Sequence, residues 1–102
     1  MAFYLEFKTA ETNDGGDILP DARDIYDAID DAAEYLNDIY TTAEILTLER
    51  VEIIKRERYY NTRRDRYFST RVRWDVTEII KQCSTNIITT RAELARSLNG
   101  GR

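Results

Sequence analysis

The apolar residues of this chain change their spacing from one stretch to the next, and that change constrains the fold more than any other feature. In "DARDIYDAIDDAAEYLND", residues 21–38, they recur every three or four positions and fall within one arc of a helix. In "FSTRVRWDV", residues 68–76, they alternate with polar residues, as in a strand with one buried face. A chain of 102 residues is long enough for one domain, so the sequence predicts a single domain, residues 1–102, of helices and strands.

The helical stretch is predicted to begin near Pro20, which suits a first helical turn, and to run to Tyr40 or beyond. Its apolar arc comprises Ile25, Ile29, Ala32, Leu36, Ile39 and Ala43. Its opposite side carries five carboxylates at spacings of three and four residues, here named the acidic face: Asp24, Asp27, Asp31, Glu34 and Asp38.

A second alternating stretch, residues 51–60, precedes residues 68–76, and the two predict a β-hairpin with a short loop within residues 61–65. Placing the apolar positions of both strands on one face requires paired residue numbers with an odd sum, and a sum of 127, which leaves a short loop, pairs Arg56 with Arg71 and Tyr60 with Tyr67. Lys55 and Glu57 fall on the inner side, so the hairpin tip is expected to extend past the core. The predicted outward residues and two loop arginines are here named the basic hairpin surface: Arg56, Arg58, Tyr60, Arg63, Arg64, Tyr67, Arg71 and Arg73.

Weaker patterns complete the predicted fold. Residues 2–9 alternate as an opening strand, and "ETNDGGD", residues 11–17, has the composition of a solvent-exposed turn. Residues 76–99 predict one interrupted helix or two short ones, and Gly100-Gly101 is typical of a helix stop. The predicted class is α+β, a small antiparallel sheet of the opening strand plus the long hairpin, with an amphipathic acidic helix and a C-terminal helical segment, in the order β-α-β-β-α.

Three local features refine that fold. Asp75 with Glu78, and Thr90 with Glu93, have the spacing of capping boxes at helix starts. Trp74 shares the apolar parity of its strand, so it is expected to be buried beneath the acidic helix against Ile29 and Leu36.

The composition argues against an enzyme. The chain has no histidine and one cysteine, Cys83, so it lacks the nucleophile–imidazole pairs and the usual zinc ligand sets. "NDGGD" also lacks the residues of a phosphate-binding or calcium-binding loop. The sequence therefore predicts a non-enzymatic protein with no cofactor and no metal. The apolar runs are too short for a membrane span, and the expected location is the cytoplasm.

Charge is divided unevenly along the chain. Residues 1–49 hold 13 acidic and two basic residues, whereas residues 50–73 hold nine basic and three acidic ones. A solvated helix face usually mixes both signs, yet Arg23 is the only basic residue between Thr9 and Glu49. The acidic face is therefore either an ordinary solvated surface or a docking surface for a nucleic-acid-handling partner protein with a basic surface.

The basic hairpin surface interleaves arginine with tyrosine, a pattern that can neutralise phosphates and stack bases. The alternative is a twisted hairpin whose arginines are solvated or paired within the molecule. Arg56 opposite Arg71 destabilises the hairpin unless a negative group lies between them, and that group could be Glu52, Asp65, a partner or nucleic acid. Opposite charges on one small chain also allow copies to associate as a homodimer or a head-to-tail assembly.

The size of the chain and the carboxylate row in "DARDIYDAIDDAAEYLND" resemble the small phage proteins that block bacterial defence, the anti-CRISPR and anti-restriction proteins. Some of those proteins mimic DNA. The basic hairpin surface departs from a pure DNA mimic, whose surface is acidic nearly everywhere. The resemblance thus implies an inhibitor that docks its acidic helix on a basic partner protein, and this is the leading hypothesis from sequence. Direct RNA or DNA binding through the hairpin is the alternative.

Overall fold

The computed structural model of the protein describes residues 2–10 and 14–99 and has the predicted α+β class. Four antiparallel strands form one sheet in the order β2-β1-β3-β4, and four helices accompany it. Along the chain these elements are β1 (Ala2–Lys8), β2 (Asp14–Leu19), α1 (Ile25–Ile39), α2 (Thr42–Leu46), β3 (Arg50–Asn61), β4 (Arg66–Asp75), α3 (Thr77–Ser84) and α4 (Arg91–Leu98).

The helices pack on one face of the sheet and leave the other face open. Leu5 and Ile53, which are paired in the β1–β3 register, are buried in one cluster with Ile29 and Leu36 of α1. Period-two alternation turns the neighbouring positions, such as Glu6 and Arg73, to the open face, where both are exposed. In the described part of the chain, no helix combines the length and apolar character needed to cross a membrane.

The predicted hairpin register is confirmed. Arg56 pairs with Arg71, and Tyr60 pairs with Tyr67, in the antiparallel β3–β4 ladder. The strands are joined by residues 62–65, of which Asp65 has φ 51, a left-handed conformation that a short polar residue tolerates. The alternation of apolar residues excludes a one-residue slip, which would place Ile53 and Trp74 on opposite faces of the sheet, and the short loop selects among the remaining alignments.

The turn predicted over residues 11–17 is wrong for Asp14–Leu19, which form edge strand β2. Its two glycines serve packing. A Cβ at Gly15 would lie 2.4 Å from the Phe7 ring, and one at Gly16 would lie 2.6 Å from the carbonyl oxygen of Leu5. Close approach of neighbouring groups, not a chain reversal, explains these glycines. The rest of the predicted turn, residues 11–13, lies outside the described residues.

The acidic helix is shorter at both ends than predicted. Asp24 caps α1, because its side chain accepts a hydrogen bond from the Asp27 N–H at 2.8 Å, so Pro20 precedes the helix instead of lying in its first turn. At the other end Thr41 and Glu44 form an unpredicted capping box that starts α2. The apolar arc therefore ends early, and Ile39 is 47% exposed.

The burial predicted for Trp74 is only partly right. The side chain lies on the core side of β4 and packs against the main cluster, with its ring centroid 6.4 Å from that of Phe3. It is half-buried, however, because β4 is an edge strand of the sheet. Val72, of the same parity, is 47% exposed further along the hairpin.

The C-terminal segment forms two short helices. Thr90 caps α4 as predicted, accepting from the Glu93 N–H at 3.2 Å. The Asp75 capping box is wrong. Asp75 accepts from the N–H and hydroxyl of Thr77, while Val76 is the N-cap of α3 without a side-chain bond. The predicted glycine stop, Gly100-Gly101, lies outside the described residues.

Candidate functional site

The hairpin projects from the body of the molecule, which measures 51 × 32 × 25 Å along its principal axes. Residues 56–60 of β3 are all exposed, and on β4 only Phe68 and Trp74 are partly buried. Tyr59, Tyr60 and Tyr67 are each about half exposed. The helical layer therefore leaves the distal hairpin uncovered. This agrees with the prediction from the polar inner-face residues Lys55 and Glu57 that the hairpin tip extends past the core.

Cross-strand ring pairs stiffen this projecting segment. Tyr60 and Tyr67 make a T-shaped contact with centroids 5.2 Å apart on the open face. Tyr59 and Phe68 stack at 5.8 Å on the opposite face. Such pairs across a ladder each contribute roughly 0.2–1 kcal/mol, so the hairpin holds its shape without a core beneath it.

Four arginines lie over aromatic rings instead of against carboxylates. The guanidinium carbon of Arg58 is 4.4 Å from the Tyr67 centroid, and that of Arg66 is 5.0 Å from the Phe68 centroid. Arg64 also approaches Phe68, at 5.9 Å, and Arg56 approaches Tyr4 of β1 at 5.7 Å. These contacts orient the guanidinium groups without neutralising them.

The carboxylates that could neutralise Arg56 and Arg71 are engaged elsewhere. Glu52 lies 3.3 Å from Arg73 and 3.7 Å from Arg50. Asp65 accepts a hydrogen bond from the Tyr60 hydroxyl. Glu57 pairs with Lys55 at 2.8 Å, which lowers its pKa.

Six hairpin arginines consequently keep an unpaired positive charge. Within residues 2–10 and 14–99, no carboxylate lies within 4.0 Å of their guanidinium groups: Arg56, Arg58, Arg63, Arg64, Arg66 and Arg71. Of the predicted basic hairpin surface, only Arg73 has carboxylate partners, Glu6 and Glu52. Arg66 was not assigned to this surface from sequence, although its place in "RRDRY" was a usable signal.

The acidic face is partly neutralised by α4, which the sequence did not reveal. Arg91 forms an ion pair with Asp27 and lies 3.5 Å from both Asp24 and Asp30. The hydrogen bond from Arg91 is the main reason that the pKa of Asp27 is lowered. Asp24 and Asp27 therefore serve the fold, as helix cap and as anchor for α4.

The rest of the acidic face stays open. Asp31, Glu34 and Asp38 have no ion pair among the described residues. Burial raises the pKa of Asp31, and the negative charges of Asp21, Asp27, Glu34 and Asp30 raise it further. This part of the helix is therefore electrostatically unfavourable for the folded molecule.

The opposite pKa shifts of Asp27 and Asp31 predict opposite effects of two otherwise identical substitutions. At pH 7, Asp27→Asn should lower the free energy of unfolding, whereas Asp31→Asn should raise it by less than about 0.5 kcal/mol. Asp27 stabilises the fold above the ordinary pKa of 3.8, and this contribution is lost as pH falls through its lower folded-state pKa. The destabilisation by Asp31 is complete above its raised folded-state pKa and is lost as pH falls toward 3.8.

Urea unfolding of both variants and the parent at pH 7 and at about pH 3 measures these differences. Both differences should shrink at the lower pH, because the carboxylates become protonated. Loss of stability in Asp31→Asn at pH 7 would contradict the conclusion that the Asp31 carboxylate is unpaired and repelled by neighbouring carboxylates.

The described residues bring together no group of three or more His, Cys, Asp or Glu side chains that could hold a metal ion. The single thiol, Cys83, is half-buried in α3, and burial raises its pKa, so it is a poor nucleophile at neutral pH. The chemistry that the arrangement offers is binding by charge and by planar groups.

The chain matches no protein-family model, no curated protein and no solved structure. The two charged surfaces are therefore the features of the molecule that bear on its function.

Proposed function

We propose that the protein binds nucleic acid, with the basic hairpin surface and Arg66 holding the phosphate backbone of a single strand. The observation that supports this proposal most strongly is the pairing of Arg56 with Arg71 while Glu52 and Asp65, the two internal carboxylates that could lie between them, are engaged elsewhere. Two opposed cations without an internal counter-ion favour an external anion.

Phosphate suits this surface better than a carboxylate-bearing protein does. The six unpaired arginines lie along both strands and in the loop of the hairpin, with Arg58 over Tyr67 on the open face and Arg64 and Arg66 over Phe68 on the opposite face. A flexible polyanion such as a single strand can contact both sets by passing around the hairpin. Arginine presents a planar fork of donors that matches phosphate oxygens, and its contacts with Tyr67 and Phe68 keep it oriented. The function is binding and requires no catalytic group.

Fluorescence anisotropy of a labelled single-stranded oligonucleotide, titrated with the full chain at several salt concentrations, tests this proposal. The logarithm of the binding constant should fall linearly with the logarithm of salt concentration, with a slope of about −0.7 for each phosphate contacted. Four to six contacts give a slope of roughly −3 to −4. Absence of binding at low salt, or binding that does not respond to salt, would refute the proposal.

A second proposal concerns the open part of the acidic face. Asp31, Glu34 and Asp38 have no ion pair among the described residues, which supports docking on a basic, nucleic-acid-handling partner protein in the manner of anti-CRISPR or anti-restriction inhibitors. Arg91 pairs with Asp24 and Asp27, so the part of the acidic face that is open to a partner is shorter than the sequence predicts.

Affinity capture from a lysate, with and without nuclease, separates the two proposals. Partners held through nucleic acid on the hairpin should be lost after nuclease treatment. A partner protein that docks on the acidic face should survive it, and should be lost from a variant in which Asp31, Glu34 and Asp38 are changed to amides.

A further inference from the structure

The open face of the sheet carries a groove at the base of the hairpin. Two of its lining residues belong to the basic hairpin surface, and the others belong to neither charged surface. It has a volume of about 420 Å³ and lies between β2, β1, β3 and β4. Its apolar part is made by Ile18 of β2, which is 56% exposed, with Tyr4, whereas Ile54 also lines it but is only 4% exposed. Gly16 lines it as well.

The charged rim of the groove is the opposed arginine pair. Arg56 and Arg71 both line it, and neither has a carboxylate partner among the described residues. The acidic groups of the lining are otherwise occupied, since Glu6 lies 3.5 Å from Arg73 and Asp17 accepts a hydrogen bond from the Ile18 N–H at 2.8 Å. An occupant with one anionic end and one flat, largely apolar part matches this lining.

The rings on the hairpin itself are poor candidates for holding a base. Arg58 covers the Tyr67 ring at 4.4 Å, and Tyr60 makes a T-shaped contact with the same ring. Tyr59 and Phe68 stack on each other. Their faces are therefore used in holding the hairpin, whereas the Ile18 side of the groove is uncovered.

We infer that this groove holds one unpaired nucleotide of a single strand, with its phosphate between Arg56 and Arg71 and its base against Ile18. This inference rests on the proposed function and names where a base is recognised. A base within a duplex is stacked on both faces and paired along one edge, so it cannot enter, and the groove makes the protein selective for single strands.

The test compares two probes of about eight nucleotides, oligothymidine and an abasic backbone of the same length. Both carry the same phosphates, so the hairpin arginines should hold both. The parent protein should bind oligothymidine more tightly by at least about fivefold, the lower end of what one base usually contributes on a protein surface.

Ile18→Asp should lower that preference by about fivefold, because it removes the apolar side chain against which the base lies, whereas repulsion of phosphate by the new carboxylate weakens both probes alike. The matched control is Leu46→Asp, which adds the same charge at an apolar side chain of similar exposure, 46%, on α2. It should leave the preference unchanged. Thermal melting of both variants checks that the fold is retained, as their exposure leads us to expect.

Equal affinity of the parent for the two probes, or an unchanged preference in Ile18→Asp, would overturn the inference while leaving the proposed function intact. Failure of both probes to bind the parent at low salt would refute the proposed function, and the groove site with it. Equal loss of preference in Leu46→Asp would also overturn the inference, since the effect would then be one of net charge.

Discussion

A variant with four distal hairpin arginines changed to glutamine should bind a single-stranded oligonucleotide roughly 10³-fold more weakly than the parent at about 50 mM salt. Each phosphate contact contributes about 0.7 to the salt slope, which at this salt concentration corresponds to roughly a tenfold gain in affinity. The slope itself should become shallower by about 3. The four substituted residues are Arg58, Arg63, Arg64 and Arg66.

The matched control removes positive charge outside the hairpin, at Arg23, Lys81 and Arg96, none of which has an ion pair within the described part of the chain. It should alter the affinity far less, because screening confines the effect of a charge to about 10 Å at 0.1 M salt. A similar loss in both variants would mean that overall charge, and not the hairpin, sets the affinity.

The second large effect concerns stability. Ile53→Ala should lower the free energy of unfolding by about 2–5 kcal/mol, since Ile53 is completely buried on the inner strand β3. A domain of this size is held together by roughly 5–15 kcal/mol, so the variant should lose a large part of its stability. Urea or thermal unfolding of the full chain measures the loss.

Two neighbouring positions on the same face of the sheet provide graded controls. Val72→Ala should change stability by less than about 0.5 kcal/mol, because Val72 is exposed beyond the core. Trp74→Ala should fall between these limits, below the roughly 3–5 kcal/mol of a fully buried tryptophan, because Trp74 is half-buried. A cost at Val72 equal to that at Ile53 would mean that the distal inner face is covered in solution, for instance by a second copy.

The sequence predicted most where two constraints acted on the same residues. The β3–β4 register followed from two constraints: parity, which requires paired residue numbers to have an odd sum, and a short loop within residues 61–65, which favours the sum of 127 that the structure shows. Strand β2 was missed because glycine usually signals a turn. Gly15 is a glycine here because the Phe7 ring leaves no room for a side chain. That contact depends on the pairing of β1 with β2, which the sequence does not show.

The sequence predicted where the charged surfaces lie but not which of their side chains form ion pairs. The acidic row was visible in the sequence, yet its partial neutralisation depends on Arg91, 64 residues after Asp27, which reaches it only because α4 packs beside α1. Conversely, Glu52 and Asp65, the two predicted internal partners of the Arg56–Arg71 pair, contact other residues. Glu52 pairs with Arg73, and Asp65 accepts a hydrogen bond from Tyr60. Long-range side-chain contacts of this kind are not encoded in periodicity.

The most direct test of the central proposal is an NMR titration of the labelled full chain with a single-stranded oligonucleotide at low salt, following the backbone amide signals. Binding through the hairpin predicts that the largest shifts map to residues 54–73, while the amide signals of α1, residues 25–39, stay in place. Hairpin signals that do not move when oligonucleotide is in excess would contradict the proposal.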